Sequence, residues 1–208
     1  MGKVLQLLLK GLLTMKDSID IKNLIQHEFD EHISAVKSLG VIKESLADAA
    51  QLCIQSLKVG GKILLVGNGG SAADAQHIAA ELIGRFKVKR KGLPAIALTT
   101  DSSALTAIAN DFGYNCIFDR QVEALAREED ILIGISTSGN SDNVINALKV
   151  ASGLSCKTIG LTGQGGGLMN KICDVIIDVP SLDTPRIQEL HIIIGHTICH
   201  LIDQEFQS

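Results

Sequence analysis

Apolar residues follow two rhythms along this chain. From 20 to 39 and from 41 to 57 they recur every third or fourth position, which predicts two amphipathic helices. Gly60-Gly61 ends the second, and short, mainly apolar runs begin: 62–66, 94–98, 131–135, 158–161 and 175–179. Runs this short and this apolar suit strands covered on both faces. Between them, 71–86, 102–109, 118–126 and 143–152 return to helical spacing. Five strands alternating with helices predict an α/β fold, a doubly wound five-stranded parallel sheet flanked by helices, with an N-terminal helical arm.

Thr184-Pro185 opens the last helix, which runs to about Glu205 with Pro at its first position. Leu190, Ile192, Ile193, Ile194, Ile198, Leu201 and Ile202 nearly encircle it. An all-round apolar helix must be buried on most sides, so a homo-oligomer with helices at its contacts is expected. The segment 163–167, three of whose glycines follow Gln164, reads as a structural turn. Residues 1–19 read as an extension and 20–208 as a single domain. The apolar stretch 4–13 is interrupted by Lys10, lacks a small-residue cleavage site and is too short to span a bilayer. With Met15 close behind, residues 1–14 read as an upstream start or a first helical turn, and no membrane association is expected.

Two small-residue loops carry the candidate chemistry. Gly67-Asn68-Gly69-Gly70-Ser71 follows the first strand, Ser136-Thr137-Ser138-Gly139-Asn140-Ser141 follows the third, and each opens a helix. Ligands of open α/β sheets bind at the carboxyl ends of strands. Helix N-termini offer backbone N–H groups and partial positive charge, glycine permits close approach, and hydroxyls add donors, so a phosphate fits both loops. The alternative is two ordinary turns, with Ser71 and Asp74 as a capping box and Ser141 as a plain N-cap. The first loop has neither the Gly-x-Gly-x-x-Gly spacing of dinucleotide sites nor the Walker lysine, and no Gly-x-Ser-x-Gly elbow is present. Nicotinamide, ATP and covalent serine chemistry are therefore disfavoured.

Charge narrows the partners. Nineteen basic against 23 acidic residues give a formal net charge of −4, and Lys87, Lys89, Arg90 and Lys91 form the one basic cluster. With aromatic residues at 3%, that cluster reads as a solvated turn, and no nucleic-acid partner is expected. Cys53, Cys116, Cys156, Cys173 and Cys199 are dispersed without Cys-x-x-Cys spacing, as reduced core thiols of a cytoplasmic protein would be.

His77 and Glu81 stand four apart on the helix after the first loop and so share a face. Glu81 is about ten residues, roughly 15 Å, from that helix's start, which suits the far end of a phosphorylated sugar. The last helix adds Gln188, Glu189, His191, His196 and His200. His77, Glu81, Gln188 and His196 could hold Zn2+, although Gln188 and His196 are about 12 Å apart along one axis and Gln is an unusual ligand. A surface pair at 77/81 and a core histidine at 196 fit the same spacing.

Taken together, Gly67-Asn68-Gly69-Gly70-Ser71, His77-x-x-x-Glu81, Asn110-Asp111-Phe112-Gly113-Tyr114, 136–141, and Arg186-Ile187-Gln188-Glu189-x-His191 followed by His196 resemble the sugar isomerase (SIS) domain family from about residue 20 to 206. Within it they resemble the branch acting on sedoheptulose 7-phosphate. The resemblance implies a SIS-type, flavodoxin-like sheet and a homotetramer with active sites between subunits. It implies conversion of sedoheptulose 7-phosphate to D-glycero-D-manno-heptose 7-phosphate through an enediol, a step toward the heptose of the lipopolysaccharide core. By the same resemblance, Ser71, Ser136, Thr137, Ser138 and Ser141 cradle the phosphate. Asn68, Gly69, Gly70, Asn110, Asp111 and Gln188 surround the sugar, Glu81 is the base and His196 the partner acid. Zn2+ would be held by His77, Glu81, Gln188 and His196. Non-catalytic SIS proteins that bind the replication initiator resemble the chain along the Ala-rich helix and 107–111, but lack counterparts of Glu81 and His196. A sugar-phosphate-sensing regulator would bring a DNA-binding domain, and no helix-turn-helix arm is evident.

Overall fold

The computed structural model describes residues 20–207, and the reading of 1–19 lies outside them. The chain divides into two compact units at Ser34/Ala35. In the first unit the described residues form helix α1 (Ile21–Ser38), which continues into the second.

The second unit holds α2 (Lys43–Lys58), β1 (Ile63–Gly67), α3 (Gly70–Ile83), β2 (Ala95–Ala97), α4 (Ser102–Phe112) and α5 (Asp119–Leu125). β3 (Ile131–Ile135), α6 (Asp142–Gly153), β4 (Lys157–Thr162), β5 (Val175–Asp178) and α7 (Thr184–Glu205) complete it. All strands pair in parallel in the order β2-β1-β3-β4-β5. Every residue of β1 and β3 is buried, as their unbroken apolar runs require. Alternation sorts the side chains between two cores. Ile63, Leu65, Ile133 and Ile159 pack with α2, α3 and α7, whereas Leu64, Val66 and Leu132 pack with α5 and α6. Strand order reverses between β1 and β3, whose ends pair in register at Gly67 and Ile135, so the two small-residue loops lie side by side at the topological switch point.

Several boundaries differ from the sequence expectation for physical reasons. Helix α3 stops at Ile83 rather than continuing to 86, because Arg90 donates to the carbonyls of Glu81 and Leu82 and so takes over the role of a further helical turn. The basic cluster is not wholly a solvated turn: Lys87, Lys89 and Lys91 are exposed, but the Arg90 side chain is 1% exposed against a fully buried Asp203. Most apolar residues of α7 are covered within one chain by α2 and α3, and Leu201 alone of those seven is exposed. All five cysteines are free, with Cys53, Cys156 and Cys199 buried and Cys116 and Cys173 half-buried. Burial pushes the Cys53 and Cys199 thiols up to about 12, which keeps them neutral. Among the described residues no helix is long and apolar enough to cross a membrane.

Candidate active site

The first loop enters α3 through Gly69, whose φ of +56° is the conformation glycine accepts most readily. The helix begins one residue before Ser71, which is buried inside the first turn. The Ser71/Asp74 capping box therefore does not form. Instead the N–H groups of Ser71, Ala72 and Ala73 donate back to Asn68 and Gly69 carbonyls at 3.0–3.2 Å. Asp74 is left half-buried with one oxygen unpartnered, and burial raises its carboxyl to about 6 against the opposing pull of His77.

The second loop gathers hydroxyls. Ser136 Oγ lies 2.9 Å from Ser141 Oγ and 3.4 Å from Ser138 Oγ. Ser141 occupies the N-cap of α6 with extended backbone but makes no cap bond, because its hydroxyl turns to Ser136. Gly139, at φ +64°, rests on Gly166, whose carbonyl oxygen would be 2.2 Å from an added Cβ. The N–H groups of Met169 and Leu168 donate to Gly139 O and Asn140 Oδ1, and that of Gly163 to Thr137 O. Segment 163–169 thus buttresses the serine loop, which gives the predicted structural turn a specific task. A cleft of about 200 Å³ opens beside Thr137 and Ser138, with Gln164, Ser181 and Thr184 on its walls.

Asn68 and Asn143 join the two loops. Each amide nitrogen donates to the other's oxygen at 2.9 Å, and the Tyr114 hydroxyl donates to Asn68 Oδ1 at 2.9 Å. Asn143 was missed in the sequence reading, although a polar residue on the apolar face of α6, in line with Ala147 and Ala151, was a usable signal. Asn110 and Asp111 stand exposed on the last turn of α4, bonded to each other at 2.8 Å, while Ala109 before them and Tyr114 after them line a cavity with Gly67, Asn68 and Gly69.

The titratable centre forms where α3 and α7 cross. Gly195 makes the crossing possible: a Cβ there would lie 2.5 Å from Ile78 Cδ1. The next residue, His196, consequently meets His77 with Nε2 atoms 3.0 Å apart, one ring donating and the other accepting. Glu81 Oε1 is 3.2 Å from His77 Nε2. Phe86, another residue missed in the sequence, stacks on His196 at 5.2 Å between centroids. The ligand atoms of His77, Glu81 and His196 all lie within 4.8 Å of one another. Ligands on a tetrahedral Zn2+ with bonds of about 2.05 Å are about 3.3 Å apart, so the donor set and its spacing fit such an ion. Among the described residues no hydrogen bond draws Gln188 into this trio. Its amide lies over Gly70, where an added Cβ would come within 2.6 Å of Nε2. The structure therefore brings three of the four expected ligands together and places the fourth at the opening of α3.

Comparison with known proteins agrees with this architecture. Residues 28–163 match the SIS domain model. A protein of Aliarcobacter butzleri named phosphoheptose isomerase is 63% identical over 186 residues, 89% of this chain and 98% of its own. Phosphoheptose isomerase 1 of Campylobacter jejuni is 57% identical over 184 residues, covering 88% and 99%. The solved phosphoheptose isomerase of Neisseria gonorrhoeae superposes with a TM-score of 0.83 at 47% identity, over 88% of this chain and 98% of that one. The two loops at the switch point and the His-Glu-His group at the α3–α7 crossing thus sit within a chain that belongs to the SIS domain family, on the branch of the phosphoheptose isomerases.

Proposed function

We propose that the chain is an aldose–ketose isomerase that converts sedoheptulose 7-phosphate to D-glycero-D-manno-heptose 7-phosphate. The observation that carries this reading is the meeting of Glu81 with two histidines that stand 119 residues apart in the chain, in a domain that also gathers hydroxyls in the loop after β3. The close relatives named phosphoheptose isomerase support it. Ser136, Thr137, Ser138 and Ser141 hold the phosphate, and Ser71 shapes the neighbouring loop from within its first turn. Asn68, Gly69, Gly70, Asn110, Asp111 and Gln188 face the sugar, with Asn110 and Asp111 acting in an assembled homotetramer. The reaction moves a proton between adjacent carbons through an enediol, so one group must remove and return it while another serves the oxygen. Glu81 takes the proton and His196 protonates the oxygen.

His77, Glu81 and His196, with Gln188 swinging in, would hold Zn2+, which would polarise a sugar oxygen as a Lewis acid. A carboxylate bound to metal is not a free base, so Glu81 serves one role at a time. The same reading places the protein in the cytoplasm, in the supply of heptose for the lipopolysaccharide core.

The test compares turnover of sedoheptulose 7-phosphate and sugar-phosphate affinity in wild type and Glu81→Gln. Loss of a positioned base costs about 10²–10⁴ in rate, while binding should survive. Normal turnover by the variant would remove Glu81 from the role of base. A wild type that turns nothing over but binds a replication protein would overturn the isomerase reading.

A further inference from the structure

Behind the His-Glu-His group lies a second polar cluster. Asp203 stands seven residues after His196 on α7, two turns and about 10 Å along the axis. Its side chain has no solvent exposure and that of Arg90 has 1%. One Asp203 oxygen accepts from Arg90 Nε at 2.6 Å, and the other from the backbone N–H groups of Lys87 at 2.7 Å and Val88 at 3.1 Å. Arg90 spends its remaining donors on the end of α3, with Nη1 on Leu82 O at 2.8 Å and Nη2 on Glu81 O at 3.1 Å, and on Lys91 O at 3.2 Å. The guanidinium therefore holds the backbone of Glu81 itself, and its carboxylate partner belongs to the helix that carries His196. The same 87–90 segment follows directly on Phe86, whose ring packs on His196.

Burying two charges is costly unless nearly every donor and acceptor is used, and here both carboxylate oxygens and four of the five guanidinium N–H groups are engaged. A charged cluster of this kind serves geometry: it spans α3 and α7 at their far ends while Gly195 sets their closest approach. We propose that Arg90 and Asp203 are positioning residues that fix Glu81 relative to His196 by clasping the ends of α3 and α7. The inference rests on the reading of Glu81 and His196 as the reacting pair. The phosphate-holding serines lie in the loop between β3 and α6, braced by segment 163–169, and make no contact with this clasp among the bonds described. Loosening the clasp should accordingly disturb the proton-transfer geometry and spare the binding of the phosphate end.

The experiment uses Asp203→Asn, which keeps shape and removes charge, and Arg90→Lys, whose single ammonium cannot reach Asp203, Glu81 O and Leu82 O together. Each folded variant is assayed for kcat and KM on sedoheptulose 7-phosphate and examined by 15N–1H NMR of labelled histidines, with His27 and His32 on α1 as references. Misplacement of reacting groups by about 1 Å costs up to about 100-fold. The expected result is a kcat at least about tenfold lower, KM close to wild type, and displaced ring signals for His77 and His196. A folded variant with unchanged kcat, or one whose His77 and His196 signals stay in place, overturns the proposal. So does a rise in KM at constant kcat, which would make the clasp part of substrate binding. Should Asp203→Asn fail to fold, Arg90→Lys decides. If wild type turns nothing over, the isomerase reading falls and the histidine signals alone decide whether the clasp sets the geometry.

Discussion

His191 lies in the core against the end of β4. It is fully buried, bonded through Nε2 to Thr162 O at 3.2 Å, with Nδ1 unpartnered. Burial lowers its pKa from 6.5 to about 4, only partly offset by the Thr162 carbonyl. Between these values the unfolded chain binds more protons than the native one, so stability rises with pH across this window and is lost as pH falls from about 6.5 toward 4. At about 1.4 kcal/mol per unit, the full effect is on the order of 3 kcal/mol. Urea unfolding of wild type and His191→Gln at neutral pH and near pH 4.5 should show a smaller acid loss in the variant, and equal losses would mean that His191 titrates normally. The serines of the second loop allow a different single-residue test. Ser138→Ala with Ser141→Ala removes two hydroxyls from the group around Ser136. Each lost bond to a charged group is worth about 1.5–3 kcal/mol, so KM for the sugar phosphate should rise at least about tenfold. An unchanged KM would place the phosphate elsewhere.

At the scale of elements, the α3–α7 crossing is set by one missing side chain. Gly195→Ala would put a Cβ 2.5 Å from Ile78 Cδ1 and 2.7 Å from Cγ1. Overpacking of this kind costs about 1–3 kcal/mol. Ile78→Ala opens the space, so the double variant should lose less stability than the two single losses summed, because contacting sites couple. Strict additivity in urea unfolding would show that the helices do not meet there. The strands and most helices were legible in the sequence because their signals are local: the apolar runs at 62–66 and 131–135 need no partner to be recognised, and two loops following them locate the switch point. His77 and Glu81 share a face by spacing alone. Their meeting with His196 depends on Gly195, and the Asn68–Asn143 pair on the register of β1 against β3, neither of which local pattern can express. Arg90 looked like one of four surface cations because its acid partner lies 113 residues away. The capping box failed for a related reason, since Gly69 starts α3 early and buries Ser71 inside it.

At the scale of the whole molecule, the described residues of helix α1 carry an apolar stripe. Helix α1 has no buried residue, and Ile21, Leu24, Ile25, Phe29 and Ile33 recur on one stripe, with Ile21 66% and Phe29 60% exposed. An 18-residue helix is marginal in water without a packed face, so this stripe needs a cover. Closed symmetric assembly of identical chains would supply it, and burying each such side chain would contribute about 1.5–3 kcal/mol. Phe112 and Tyr114, also exposed, follow the Asn110–Asp111 pair, and Tyr114 ties this segment to Asn68 of the first loop. Assembly would thus cover the apolar stripe. Light scattering of the purified protein at micromolar concentration should give the mass of a homotetramer. Leu24→Lys combined with Phe29→Glu should shift it to smaller species, with turnover falling alongside the mass. A monodisperse wild-type monomer would sink the assembly, and a fully active dissociated variant would show that each chain carries a complete site.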